Sequence, residues 1–227
     1  MNPIEQVAPD RVGRRRQRNR GVVVMVALLG CFAMVWQASH AAFSDTTTNT
    51  GNTLGAGTVV ISDNAAGAMF TAPALAPGAT GTACIGVEYL GSLTNPAVKL
   101  YFTGAQESNS GGAYGAWAND ATSEADDNLS MQIEVWNTDL GSNPGYNNCT
   151  PGGAGSFVDL AGVAPGTNLK SLINANTDYA TGLLSQWGTV TANMWRVFRF
   201  TYTFSASALD SAQGDGVKFN IVWEAQR

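Results

Sequence analysis

The chain has 227 residues, with 12 Lys and Arg against 17 Asp and Glu, a single histidine, and 44% hydrophobic residues. This apolar content excludes a disordered chain, and the sparse cations, half of which lie before residue 21, exclude the basic surface that nucleic acid requires. The one histidine, His40, leaves the rest of the chain without the imidazole on which most zinc and serine hydrolases depend.

The N-terminus has the pattern of a secretory signal peptide. Its basic region contains six arginines: Arg11, Arg14, Arg15, Arg16, Arg18 and Arg20. Residues 21–36 are uncharged, a length short of the ~20 apolar residues that span a bilayer but suited to a signal h-region. Ser39 and Ala41 place small residues at −3 and −1, which predicts cleavage between Ala41 and Ala42. We therefore predict a signal peptide over 1–41, a secreted or cell-surface product, and membrane contact only before cleavage.

Three other readings of this segment remain open. An uncleaved signal would anchor the chain. The pair Arg14-Arg15 matches part of a twin-arginine signal, but the residues after it lack the usual apolar partner. The run Leu-Leu-Gly-Cys31 matches a lipobox and would lipidate Cys31, although residues 32–36 stay apolar where a lipoprotein tether is normally polar.

The body of the chain alternates between short strands and turns. Apolar and β-branched runs predict strands at 57–61, 68–72, 82–90, 97–103, 129–135, 195–205 and 217–224. The strongest run places Phe198, Phe200, Tyr202 and Phe204 on one face, and such period-two alternation indicates one packed and one wetted face. The pattern predicts one all-β domain over 42–227, an antiparallel two-sheet β-sandwich.

The connections between these strands are mostly polar. A short helix is predicted at 168–175, a helical turn at 178–184, and a polar hairpin connection at 210–216. Long loops are predicted at 104–128 and 141–155. Helical structure is therefore confined to short segments in the connections.

Two cysteines, Cys84 and Cys149, follow the predicted leader. An even pair in an exported protein favours one disulfide, and two free buried thiols are the alternative. A disulfide closing a loop of this length stabilises the fold by roughly 4 kcal/mol in the chain-entropy model. It would also fix the turn-rich loop 141–155, which contains Cys149.

The loop 104–128 ends in an acidic run: Asp120, Glu124, Asp126 and Asp127. Carboxylates are the ligands that calcium prefers, so residues 120–127 form a conceivable calcium site. The run lacks the regular spacing of an EF-hand loop, and a solvated loop is the preferred interpretation.

No catalytic constellation stands out. The sequence contains neither H-E-x-x-H nor G-x-S-x-G, and no glycine loop of the phosphate-binding kind. A glycosidase needs only two carboxylates, but none of those present forms a recognisable pair. We predict no catalytic residue, no cofactor and no metal site, and hence a protein that is not an enzyme.

Two strings follow the predicted cleavage site: AFSDT at 42–46 and TGNTLGAGT at 50–58. They resemble the mature start of the TasA/camelysin family of exported biofilm-matrix fibre proteins. Further matches resemble actinobacterial members: CIGVEYLGSL at 84–93, RFTYT at 199–203 and VWEAQ at 222–226. The resemblance spans most of residues 42–227.

The resemblance implies a jelly-roll-like sandwich and a subunit of extracellular fibres. In fibre-forming members the mature N-terminal strand fills a groove in the next subunit. The matching candidate donor strand here consists of Ala42, Phe43, Ser44, Asp45, Thr46, Thr47 and Thr48. Such strand addition completes an open sheet edge, and a head-to-tail contact that does not close gives filaments. A loose leader segment is the alternative interpretation of these residues.

Two further functions stay open. A monomeric surface-binding or adhesin module would use the two long loops to contact cell-wall or matrix components. The name camelysin carries a metallopeptidase label, but the residues supply no imidazole ligand and no zinc motif for that activity.

Overall fold

The computed structural model describes the backbone of residues 44–48, together with residues 59, 61–72, 75–118, 125–212 and 214–227. Several predicted features lie outside these residues: the leader 1–41 with Cys31, the cleavage site at Ala41 and Ala42, Phe43 of the candidate donor strand, and Asp120 and Glu124 of the acidic run. Within the described ranges, no helix has the length and apolar character to cross a membrane.

Two antiparallel sheets of five strands each form the described fold. Sheet 1 has the order β1-β10-β4-β5, with β8 also paired to β4: β1 (Ser44–Thr48), β4 (Ala97–Ser108), β5 (Gly115–Ala116), β8 (Leu183–Leu184) and β10 (Gly216–Gln226). Sheet 2 has the order β2-β3-β9-β6-β7: β2 (Ile61–Asp63), β3 (Thr80–Tyr89), β6 (Leu129–Trp136), β7 (Phe157–Asp159) and β9 (Met194–Phe204). The predicted all-β, antiparallel two-sheet sandwich is confirmed, and its chain passes repeatedly between the sheets as in a jelly roll.

Short helical segments lie in the connections, as predicted. These are α1 (Ala125–Asn128), α2 (Leu169–Ala175) and a 3-10 turn at Asp210–Ala212. The helix α2 begins where Asn168 caps it, because the Asn168 Oδ1 accepts a hydrogen bond from the Ser171 N–H at 2.9 Å. The predicted helical turn at 178–184 is wrong at its end, since Leu183–Leu184 form β8.

The core lies between the sheets and follows the predicted alternation. Its largest fully buried side chains include Tyr89, Phe102, Phe198, Phe200 and Trp223. The Trp223 ring lies 5.4 Å from that of Phe198 and 6.1 Å from that of Phe200, centroid to centroid, and these contacts join the two sheets. Each such side chain contributes roughly 1.5–3 kcal/mol by burial, so the aromatic rows hold the sandwich together.

Two predicted strands differ from the structure. Residues 68–72 form no strand, although the Phe70 ring packs edge-on against Phe200 and Tyr202 at 6.1 and 5.7 Å. Of the run 57–61, the structure describes Val59, which is buried in the core outside a strand, and Ile61, where β2 begins. Phe70 and Val59 therefore contribute to the core without belonging to a sheet.

Two predicted connections also differ. Residues 104–128 are not a continuous loop, because β4 continues to Ser108 and the segment also contains β5 and α1. Residues 210–216 do not close a hairpin, because β9 lies in sheet 2 and β10 in sheet 1. The polar turn at 210–216 is a crossover between the layers.

Candidate functional site

The candidate donor strand forms an edge strand on the body that follows it. Its described part, β1, pairs antiparallel with β10, with Ser44 opposite Gln226 and Thr48 opposite Val222. The other side of β10 pairs with β4. Residues 44–48 therefore close the outer edge of sheet 1, at the place where a strand from elsewhere would add.

The strand that receives β1 is buried on both of its faces. Trp223 and Ala225 lie in the core, and Val222 and Glu224 are also buried. The Tyr101 hydroxyl donates a hydrogen bond to the Glu224 carboxylate at 2.7 Å. Burial, and then this carboxylate, raise the pKa of Tyr101 far above its usual range. Glu224 alternates with the core residues Trp223 and Ala225, and the Tyr101 hydroxyl on the neighbouring strand β4 is its buried partner.

The edge of sheet 2 beyond β2 is closed differently. The short β2 pairs only with residues Val87 to Tyr89, so β3 extends past it. At Cys84 the backbone is satisfied by Asn147, whose N–H donates to the Cys84 oxygen at 3.0 Å and whose Oδ1 accepts from the Cys84 N–H at 3.1 Å. At Gly86 the same two roles are taken by Asn64, at 3.1 and 2.9 Å.

A disulfide joins this edge to the loop 141–155. Cys84 and Cys149 are bonded, with their Cα atoms 5.4 Å apart, which confirms the predicted pair. The Asn64 Nδ2 also donates to the Asn143 Oδ1 at 3.0 Å. A Cβ atom on Gly86 would lie 2.8 Å from the Pro144 Cγ, so only glycine fits beneath the loop. We call the loop 141–155 with this disulfide the cap of β3.

The described end of the acidic run, Asp126 and Asp127, forms an ion pair with Lys170. Asp126 is buried, and its carboxylate lies 2.9 Å from the Lys170 Nζ, which is also 3.3 Å from the Asp127 carboxylate. Burial alone would lower the pKa of Lys170, but hydrogen bonds and attraction from both aspartates outweigh it and raise the pKa. Among the residues that the structure describes, no group of three or more His, Cys, Asp or Glu is placed to hold a metal ion.

Sequence reasoning did not connect Lys170 with the acidic run. The available signal was a lysine that directly follows Leu169 and lies two residues before Leu172, in a short helix with an apolar face. A buried lysine needs an anionic partner, and the acidic run is the densest source of one in the sequence.

Each of the two predicted binding loops exposes one aromatic side chain. Tyr114 and Tyr146 have 48% and 45% of their surface exposed. Tyrosine combines an apolar face with a hydroxyl, and it is a common contact residue in binding loops.

The geometry thus offers one sheet edge occupied by the strand β1 and one covered at Cys84 and Gly86 by side chains and the disulfide-bonded loop. Comparison with known protein families and with curated protein sequences gives no match to this chain.

Proposed function

We propose that this protein is an exported structural subunit that assembles into extracellular fibres by exchange of β1 between neighbours. The observation that carries the proposal is the pairing of β1 with β10 at the outer edge of sheet 1. The resemblance of residues 42–58 to the start of TasA/camelysin fibre proteins supports it. The Cys84–Cys149 disulfide supports export, since such bonds persist in oxidising compartments.

The composition of β1 makes the strand suitable for exchange. It reads Ser-Asp-Thr-Thr-Thr and contains no apolar residue, so its attachment depends mainly on backbone hydrogen bonds. A second copy can supply the same bonds to β10 with the same register. Exchange therefore forms few new contacts and is driven mainly by protein concentration.

The connection after β1 suits the same purpose. Residues 49–60 join β1 to β2 and include Gly51, Gly55 and Gly57. A connection of this length can span up to ~3.3 Å per residue, which is long enough to reach a neighbouring molecule. Since the donor strand and the acceptor edge are different surfaces, each subunit can both give and receive, and the chain of contacts stays open as in a filament.

A pair of cysteines at opposite positions of β1 and β10 distinguishes pairing within one chain from pairing between two chains. Ser44→Cys with Gln226→Cys places two thiols at directly opposite positions, within the Cα spacing that a disulfide accepts. At low protein concentration we expect a bond within one chain, and under assembly conditions a ladder of disulfide-linked oligomers in non-reducing gels. Ser44→Cys alone is the matched control and should give dimers at most. A bond confined to single chains within assembled material would contradict strand exchange.

Electron microscopy tests the fibre itself. The processed protein should form filaments. A variant lacking residues 42–50 should stay monomeric by itself, but when mixed with the parent it should add to one end of the filaments and stop their growth there. Persistent monomers of the parent protein under all assembly conditions would remove the proposal.

The exposed tyrosines favour a second candidate function, a surface-binding module. Tyr114→Ala and Tyr146→Ala should then reduce retention on purified cell-wall or matrix polysaccharide without altering filament formation. Equal retention of the parent and both variants would argue against this function.

A further inference from the structure

An amine and a carboxyl group lie in contact inside the fold. The Lys170 Nζ is 2.9 Å from the Asp126 Oδ2, and only 6% and 1% of these side chains are exposed. A second carboxylate, that of Asp127, lies 3.3 Å from the same nitrogen and has 33% of its side chain exposed. The three groups are therefore an amine, an acid held against it, and a neighbouring base that water reaches.

The surrounding backbone holds these groups in place. The Asn168 Nδ2 donates to the Asp127 carbonyl oxygen at 3.0 Å, and the Ser205 N–H donates to the Asn128 carbonyl oxygen at 2.8 Å. Both residues that directly precede the pair, Ala125 and Leu169, are buried. Fixing two reactants in contact in this way replaces a bimolecular encounter with an effective molarity of roughly 10⁵ M or more.

We propose that Lys170 and Asp126 condense to form an isopeptide bond between Nζ and Cγ, with Asp127 transferring the proton. The Lys170 nitrogen attacks the Asp126 Cγ, a nitrogen–carbon bond forms, and one carbon–oxygen bond of the carboxyl group breaks. The departing oxygen leaves as water. Nothing is oxidised or reduced, and no cofactor or co-reactant is consumed.

The protons balance within the three groups. The Lys170 ammonium first gives a proton to the Asp126 carboxylate, which leaves a neutral amine and a neutral acid. After attack, Asp127 accepts a proton from the nitrogen and returns it to the departing hydroxyl, so that Asp127 ends as it began. The exposed side of Asp127 gives the released water a path to solvent.

The resting state is the ion pair, because the two aspartates raise the pKa of Lys170. The first proton transfer is therefore the unfavourable step. Burial assists it, since two neutral groups are cheaper to keep away from water than two ions. In the described part of the chain the Asp126 Oδ1 accepts no hydrogen bond, and Lys170 is the cation in contact with this carboxylate. A single slow event suffices, because the product is permanent.

Trypsin digestion reads the bond directly. The full chain is produced with its own leader, isolated in folded form, then reduced, denatured and digested. Trypsin cuts after Lys and Arg, and residues 100–196 contain only Lys170 as an internal site. We expect one fragment covering 100–196, uncut after Lys170 and lighter than its sequence by one water molecule. Separate fragments 100–170 and 171–196 at their unmodified masses would overturn the proposal.

Substitutions assign the roles. Asp126→Ala should restore full cleavage after Lys170, and Asp127→Asn, which keeps the size of the side chain, should reduce the cross-linked fraction at least tenfold. Cross-linking of Asp127→Asn as complete as in the parent would overturn the role of Asp127. The matched control is Lys99→Arg, which changes a lysine that contacts the backbone oxygens of residues 179 and 180. Trypsin also cuts after arginine, so the cross-linked fragment 100–196 should appear unchanged in this variant. The Cys84–Cys149 bond, mapped without reduction, shows that each variant has folded.

Discussion

The outer edges of β10 and β3 both carry backbone groups that need hydrogen-bond partners, and the two edges obtain them in different ways. Unpaired backbone groups at a sheet edge attract other strands. At β3 they are satisfied by Asn147 and Asn64, beneath a loop that is bonded covalently to Cys84. At β10 they are satisfied by β1, a polar segment near the predicted mature start of the chain.

The difference separates protection from assembly. A cap made of side chains and a disulfide cannot be replaced by a strand from another molecule without breaking a covalent bond. The pairing of β1 with β10 involves no such covalent bond. Under the proposed strand exchange, molecules therefore associate at the β10 edge, while the cap hinders association at β3.

Removing the disulfide of the cap should have the largest effect on the free energy of unfolding. Cys84→Ser with Cys149→Ser removes a bond that closes 65 residues, and we expect the free energy of unfolding to fall by about 4 kcal/mol. Urea unfolding under oxidising conditions measures it. The reduced parent should behave like the variant, and an unchanged midpoint would show that the cap is held by its hydrogen bonds alone.

Adding a side-chain atom beneath the cap should have the next largest effect on the free energy of unfolding. Gly86→Ala places a Cβ atom 2.7 Å from the Asn64 Nδ2 and 2.8 Å from the Pro144 Cγ, so the loop must move. We expect a loss of about 3 kcal/mol in urea unfolding and a new tendency to aggregate through β3. Gly115→Ala, in an open part of sheet 1, is the control and should be close to neutral. Equal effects from both would mean that the contact with Pro144 is unimportant.

The hydrogen bond between Tyr101 and Glu224 should make the free energy of unfolding depend on alkaline pH. The pKa of Tyr101 is raised in the folded state, by burial and then by Glu224, so its contribution is complete below the unfolded value of ~10 and is lost as the pH rises towards the folded value. Tyr101→Phe should cost about 2 kcal/mol at neutral pH and flatten the alkaline loss of stability. Urea unfolding at neutral and alkaline pH tests this, with Tyr114→Phe as an exposed control. An alkaline slope as steep as that of the parent would contradict the assignment.

Removing β1 should have the smallest effect on stability. The net gain from its backbone hydrogen bonds, about 1 kcal/mol each, is nearly offset by the cost of ordering the strand, about 1 kcal/mol per residue. Deletion of 42–48 should therefore change the free energy of unfolding by about 1 kcal/mol while it abolishes filaments. A loss as large as that of the disulfide variant would show that β1 is part of the permanent fold and unsuited to exchange.

The long strands were predictable because each has one apolar face. The alternation of Ile85, Val87 and Tyr89, and of Phe198 and Phe200, placed them in the core as the structure does. Residues 68–72 failed because an apolar run can pack on a core without pairing: Phe70 contacts two aromatic rings from an irregular segment. Periodicity reports burial, and pairing depends on neighbours that are distant in sequence.

The site was predictable only in part for the same reason. The Cys84–Cys149 bond followed from the number of cysteines, and a strand at residues 44–48 was implied by the family resemblance of the segment that contains them. Their partner β10, the two asparagines that satisfy β3, and the contact of Lys170 with Asp126 all join residues far apart in sequence. No local pattern encodes such contacts, since they arise only when the sheets stack.

The pairing of β1 with β10 also sets the order of events during synthesis. Of the ten described strands, β1 is synthesised first and β10 last. The other eight are therefore complete before β1 and β10 can pair. Closing so long a separation is slow. Throughout that delay β10 is not yet available to β1. Under the proposed exchange, the local concentration of finished molecules therefore decides whether β1 pairs within its own chain or with a molecule made before it.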